Sequence, residues 1–305
     1  MKLLFFGTPE FSRSIVEELS KNHEILGVVT QPDRRRGRGH RMQPSPVKKW
    51  AQDNDLPVFT PSSLKDETFL QEIRALGAEV FVVAAFGMLF PEELLTMAPR
   101  GALNIHTSLL PKFRGASPIE SAILAGESIS GVTLMKMDQG LDTGEIFYQE
   151  ELSLEDKTAP DVLEEMIPLA VTLLERLFRA WQQGEEVNTR AQTGPFSVCG
   201  KYDKSSYLLD WTDSAEHLSR KVRAFYPDAY IKWGNDRLKI LQTSVHSSVE
   251  QDPGTVILTN DEGIYVSTGD GVLSIEMLQR SGRRAMTASD FLRGTPISLG
   301  TKLGG

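Results

Sequence analysis

The sequence predicts an α/β protein. Its N-terminal half reads as a doubly wound, mostly parallel sheet, and its C-terminal part as a small β-barrel or sandwich. Three observations carry this expectation. Apolar strand-like runs alternate with helix-like segments through the first half. One of those runs, Glu79–Phe86, is apolar without alternation, as expected of a strand buried on both faces. After about residue 225, short alternating runs recur with Gly, Asn and Asp turns between them.

In order, Lys2–Gly7 is an apolar strand. Thr8-Pro9-Glu10 then supplies a cap residue, a proline at the first helical position and an early acid, which start a helix. Glu24–Thr30 is the second strand, Glu79–Phe86 the third and Ala102–His106 the fourth, and Gly131–Met137 continues the sheet. A long helix from Ala159 to Trp181 closes this half. From Gln183 to Ser206 neither period persists, and Gly184, Gly194, Pro195 and Gly200 interrupt the chain. The expected organisation is a domain at 1–187, a linker at 188–206 and a second domain at 207–305. That last domain opens with a helix, Ser214–Phe225, followed by strands near 230–233, 237–244, 254–259, 263–268 and 272–278.

Bulk properties narrow the function. The chain has 305 residues, 40% of them hydrophobic and 24% charged, enough for two globular domains. No apolar run approaches the roughly 18–20 residues of a membrane helix, and the N-terminus reads as a strand rather than a signal peptide. A single cysteine, Cys199, forbids an internal disulfide and a thiolate metal cluster and fits a reducing cytoplasm. The net charge of -8 argues against nonspecific coating of nucleic acid. A local basic stretch nevertheless holds Arg34, Arg35, Arg36, Arg38 and Arg41 beside Gly37 and Gly39, and a flexible loop of this kind can grip the phosphates of a polyanion.

Asn104 and His106 are two residues apart on a predicted strand, so they share one face. His106 alone of the five histidines sits at the C-terminal end of a sheet strand, where open α/β sheets gather ligands. Asp142 lies between Gly140 and Gly144 just after another strand. By itself that is as readily a turn as a site. Together an Asn, a His and an Asp supply an oxyanion donor, an acid/base and a carboxylate, without a Ser or Cys nucleophile. Such a trio suits direct acyl transfer to an amine. Gly7-Thr8-Pro9-Glu10 offers a helix N-terminus but not the G-x-G-x-x-G pattern, so a dinucleotide fingerprint is missing there.

The motif Asn104-x-His106-x-Ser108-Leu109-Leu110-Pro111-x-Phe113-Arg114-Gly115 resembles the signature of 10-formyltetrahydrofolate-dependent formyltransferases. Gly131-Val132-Thr133-Leu134-Met135 with Gly140-Leu141-Asp142-Thr143-Gly144 is similar to the second signature. Thr30-Gln31-Pro32-Asp33-Arg34, Gly37-Arg38-Gly39, Arg223-Ala224-Phe225 and Phe291-Leu292-x-Gly294 extend the likeness to the methionyl-tRNA formyltransferase family, nearly end to end. The resemblance implies a Rossmann-like catalytic domain and an OB-like barrel that contacts tRNA. It implies catalysis by Asn104, His106 and Asp142. A folate site would form from Ser108, Leu109, Leu110, Pro111, Phe86, Gly87, Met88 and Leu89. The tRNA contacts would be Arg34, Arg35, Arg36, Arg38, Arg41 and Arg223.

The same resemblance implies 10-formyltetrahydrofolate as donor co-substrate, no metal, initiator methionyl-tRNA as partner, no membrane, and a cytoplasmic monomer. Arg35 departs from the family, which usually has Pro there, and the segment around Cys199 looks peculiar to this chain. Two alternatives stand beside this reading. One keeps the donor but uses water, glycinamide ribonucleotide or an amino sugar nucleotide as acceptor; the other is an RNA-binding module without activity.

Overall fold

Strand β1 (Lys2–Gly7) runs parallel to β2 (Glu24–Val29) on one side and to β6 (Val80–Ala84) on the other. The computed structural model describes residues 1–36, 41–234 and 236–304, and at 34–36 and 41 the backbone path alone. Between β2 and β6 come a two-stranded antiparallel ribbon, β3 (Arg34–Arg36) with β4 (Arg41–Gln43), and the short β5 (Val58–Phe59). After β6 follow β7 (Ala102–His106), β8 (Arg114–Gly115), β9 (Ile129–Lys136), β10 (Ile146–Ser153) and β11 (Val198–Cys199). Seven strands form one sheet in the order β10-β9-β7-β6-β1-β2-β5. From β7 to β5 every neighbour is parallel; β9 and β10 are antiparallel additions at one end.

The apolar sequence of β6 is explained by burial of all five of its residues. Leu4, Phe6, Phe81 and Val83 point to one face, where Phe69, Leu70, Ile73 and Leu94 from two helices cover them. Phe6 is central: its ring lies 5.3, 5.5 and 4.9 Å from those of Phe81, Phe86 and Phe90. Gly7 at the end of β1 carries no side chain because a Cβ there would collide with Ser12, whose hydroxyl donates to the Ala84 carbonyl at 2.6 Å.

The chain divides into two compact units. One comprises Met1–Pro118, Ile129–Ser153 and Leu163–Gly200; the other comprises Ile119–Ser128, Leu154–Val162 and Lys201–Gly305. In the second unit β12 (Tyr230–Trp233), β13 (Asp236–His246), β14 (Val256–Thr259), β15 (Ile264–Ser267), β16 (Val272–Arg280) and β17 (Ala285–Thr287) make an antiparallel sheet. Its order is β12-β13-β16-β15-β14, with β17 on β16, and the curled sheet is a half-barrel. The helix Ala215–Ala224 is capped by the Ser214 hydroxyl, as its sequence requires.

Two segments differ from expectation. Arg34–Arg41 was expected as a flexible loop, but its described ends pair as β3 and β4, and Arg38 lies outside the described residues. The ribbon is rooted by Thr30 and Ser45, whose hydroxyls are 2.7 Å apart, and by Lys48 donating to Asp33 at 2.8 Å. The stretch 188–206 was expected as a linker. Instead Arg190 exchanges backbone hydrogen bonds with Ile146, and β11 pairs in parallel with β8. Two-residue pairings leave no periodic trace in sequence, which is why the segment read as unstructured.

His23 gives a stability prediction. Its side chain is 3% exposed, with Nε2 3.2 Å from Glu175, Nδ1 unpartnered and its ring edge-on to Phe178. Burial pushes its pKa below the ordinary 6.5, against the pull of Glu175. As pH falls below 6.5 the unfolded chain takes up this proton first. The stability held by neutral His23 is therefore complete above 6.5 and is lost as pH drops toward the folded value. Urea unfolding at pH 7.5 and 5.5 is expected to show a smaller loss of stability in His23→Phe than in the parent. An equal loss in both would contradict this.

Candidate active site

Strand β7 places Asn104 and His106 on one face, as a period of two demands. The route of Asp142 to the same place is less direct. Because β9 runs antiparallel to β7, its end at Lys136 lies beside Leu103, at the start of β7. The loop 137–145 must then turn back along the sheet. Asp138 holds this loop by accepting from Gly140 N at 3.0 Å and Thr143 Oγ1 at 2.7 Å. A Cβ at Gly144 would overlap the Lys136 carbonyl, so only glycine closes the turn.

Asp142 itself has φ of 52°, a left-handed conformation that Asp tolerates better than most residues. Its Oδ2 accepts from Gly115 N at 2.8 Å, its Oδ1 accepts from Asn104 Nδ2 at 3.3 Å, and its Oδ2 lies 3.6 Å from His106 Nδ1. The last distance is beyond hydrogen-bond range, and the contact is an ion pair only when His106 is protonated. His106 Nε2 is 2.9 Å from the Phe113 carbonyl. A carbonyl can only accept, so Nε2 carries a proton and Nδ1 is the atom that can exchange one with Asp142. His106 and Asp142 are nearly buried, with side chains 6% and 13% exposed. Left-handed backbone marks the surroundings as well: Ala85 and Phe113 have φ of 45° and 57°. Such residues cost about 1–3 kcal/mol each and gather at functional sites.

The folate residues expected from sequence divide into two sets. Gly87 and Leu89 are exposed, Leu89 by 74%, and Met88, Leu109 and Pro111 are half-buried. Phe86 is buried against Phe6 and Phe90, Leu110 packs with Met135 and Ile146, and the Ser108 hydroxyl donates to the Lys112 carbonyl at 2.7 Å. These three side chains are buried. The loop 108–111 is braced by residues the sequence did not single out for this work. Thr133 Oγ1 donates to the Ser108 carbonyl at 2.6 Å and accepts from Leu110 N at 3.1 Å. Gln149 Nε2 donates to Thr133 Oγ1 and to the Leu110 carbonyl, both at 2.9 Å. A cavity of about 720 Å³ lined by Arg100, Gly101, Lys136, Phe147 and Trp181 opens at the opposite end of β7 and does not include the trio.

Arg223, expected at a tRNA contact, is partly buried. Its Nη1 donates to the carbonyls of Leu154 and Lys157 at 3.0 and 3.2 Å, a clamp on that turn, and desolvation lowers its pKa. Among the described residues no group of three or more His, Cys, Asp or Glu side chains is arranged to hold a metal. No helix among them is long and apolar enough to cross a membrane.

Residues 1–168 match the formyl transferase family profile, and 201–296 match the formyl transferase C-terminal domain. The chain is 39% identical to a methionyl-tRNA formyltransferase of Thermus thermophilus over 311 aligned positions, covering 100% of this chain and 99% of that protein. The chain belongs to the methionyl-tRNA formyltransferase family. A second member, from Clostridioides difficile, is 37% identical over 100% of both chains. Among solved structures, HypX from Aquifex aeolicus in complex with tetrahydrofolic acid superposes with a TM-score of 0.64 at 17% identity. That match covers 96% of this chain and 47% of HypX, and it shows a shared fold. In formyltransferase terms, both signature motifs fall on the described site: the first runs from β7 to β8, the second along β9 and the loop carrying Asp142.

Proposed function

We propose that this chain transfers the formyl group of 10-formyltetrahydrofolate to the α-amine of initiator methionyl-tRNA, giving N-formylmethionyl-tRNA and tetrahydrofolate in the cytoplasm. The observation that carries the assignment of the site is the convergence of Asn104, His106 and Gly115 N on the Asp142 carboxylate. The neutral amine attacks the formyl carbon, and the carbonyl π electrons move to oxygen. Asn104 Nδ2 has a second N–H to offer that oxyanion. The proton lost by the amine passes through the His106–Asp142 pair to N10 as the C–N10 bond breaks. Since Nε2 faces the Phe113 carbonyl, the proton relay runs through Nδ1, and any donation from His106 to the oxyanion requires the ring to turn.

Gly87, Met88, Leu89, Leu109 and Pro111 supply the exposed apolar surface for the pterin, over a floor made by Phe86, Ser108 and Leu110. The arginines of β3 and β4, with Arg38, provide the phosphate contacts. Purified chain given donor and charged initiator tRNA is expected to produce formylmethionyl-tRNA; absence of product would end this reading.

The ribbon is tested separately. Replacing Arg34, Arg35, Arg36 and Arg38 by Ala is expected to raise the KM for tRNA while leaving that for the folate unchanged. The slope of log affinity against log salt should shrink by roughly one for each phosphate that the ribbon no longer neutralises. An unchanged tRNA KM would mean that the ribbon is an ordinary solvated charge run.

A further inference from the structure

Gln192 lies in the stretch that reads as a linker, yet its amide is bonded on every side. Nε2 donates to the carbonyls of both Asp142 and Gly144, each at 2.8 Å. Oε1 accepts from Arg114 Nε at 3.1 Å and from Arg114 Nη2 at 2.7 Å. A primary amide has two N–H donors and an oxygen with two lone pairs, so this set uses all of its capacity. The orientation is also fixed by chemistry. Guanidinium only donates and backbone carbonyls only accept, so an exchange of N and O would oppose like groups on both sides.

We propose that Gln192, oriented by Arg114, is a positioning residue that holds Asp142 in its left-handed conformation with its carboxylate toward Asn104 and His106. This rests on the catalytic reading of the trio given above. The loop 137–145 turns back across the sheet and places a non-glycine residue at positive φ, which favours relaxation of the backbone unless other bonds oppose it. Two attachments oppose it. Gly115 N fixes the carboxylate, and Gln192 fixes the main chain of the same residue. Arg114 and Gly115 are neighbours on β8, and β8 is held by β11 from the same 188–206 stretch. A Cβ at Gly115 would overlap the Cys199 carbonyl, so this pairing depends on glycine there. The 188–206 stretch thus brackets Asp142, with Gln192 on one side and β11, through β8, on the other.

Gln192→Met keeps the length and most of the volume but removes both donors. It is expected to lower kcat for formyl transfer by about 10–100-fold, with both KM values within about threefold, because the loss falls on the reacting geometry rather than on binding. The decisive comparison is a double-mutant cycle with Asp142→Asn, read by single-turnover formylation. If Gln192 acts through Asp142, Gln192→Met costs little further in the Asp142→Asn background. Equal losses in both backgrounds, or a kcat within twofold of the parent in Gln192→Met alone, would overturn the proposal. Near-normal turnover of Asp142→Asn would instead defeat the catalytic reading itself, and so distinguishes the two failures. Arg114→Lys, which keeps the charge but not the two-pronged contact, is the second variant. It is expected to lower kcat in the same direction, and unchanged kcat there would remove Arg114 from the device.

Discussion

Asp142→Asn is expected to lower kcat about 10²–10³-fold, the range seen when one preorganised polar group of a transfer site is lost. The KM values for donor and tRNA should stay within about threefold. The reason lies in what the carboxylate accepts. With its oxygen kept on Gly115 N, the new amide nitrogen of residue 142 would face Asn104 Nδ2, donor against donor, across the present 3.3 Å contact. The negative charge beside His106 Nδ1 disappears at the same time, so the imidazole loses its proposed proton-exchange partner. Loss of general acid/base action is worth about 10²–10⁴ on its own, so a small effect would exclude Asp142 from the chemistry. Steady-state and single-turnover formylation, with tRNA binding measured in parallel, check this.

Phe6→Ala has the largest expected effect on stability. The ring is fully buried and touches three other phenylalanines, so its removal leaves a cavity that rigid strands on either side cannot fill. The expected loss is about 3–5 kcal/mol, a large part of the roughly 5–15 kcal/mol that a domain has in total. Urea unfolding of the parent and variant measures it; a loss under about 1 kcal/mol would show that the site collapses. Phe6→Leu keeps the protein folded and reads the functional side. Phe86 and Phe90 bracket Gly87, Met88 and Leu89, so loosening beneath them should raise the KM for the folate. Phe5→Leu removes the same volume from the opposite face of β1 and should leave that KM unchanged.

The sequence made some of this site legible and hid the rest for identifiable reasons. The shared face of Asn104 and His106 follows from the period of a strand and needs no tertiary information. Continuous burial of β6 was equally visible in its apolar run. Asp142 was named by the signature motif it sits in, but its own residues showed only an acid between glycines, because the antiparallel course of β9 and the return of the loop are tertiary facts. Strand β10 escaped detection: it is a sheet edge, partly exposed, and its Gln149-Glu150-Glu151 reads as surface. Gln192 was invisible. Its four bonds reach residues 48 to 78 positions away in sequence, from a segment with no periodic structure. Arg223 was visible as a charge, but its partners, the carbonyls of Leu154 and Lys157, lie 69 and 66 positions away in sequence and were not.

On the proposed function the trio and the ribbon make separate contributions, one to formyl transfer and the other to the choice of acceptor. The most direct test of both together is the kcat/KM for formyl transfer from 10-formyltetrahydrofolate to a panel of acceptors. The panel holds charged initiator tRNA, charged elongator methionyl-tRNA, glycinamide ribonucleotide and water alone. Strong preference for initiator methionyl-tRNA, with its kcat/KM falling about 10²–10³-fold in Asp142→Asn, is the predicted result. Equal or faster transfer to glycinamide ribonucleotide or water would contradict it.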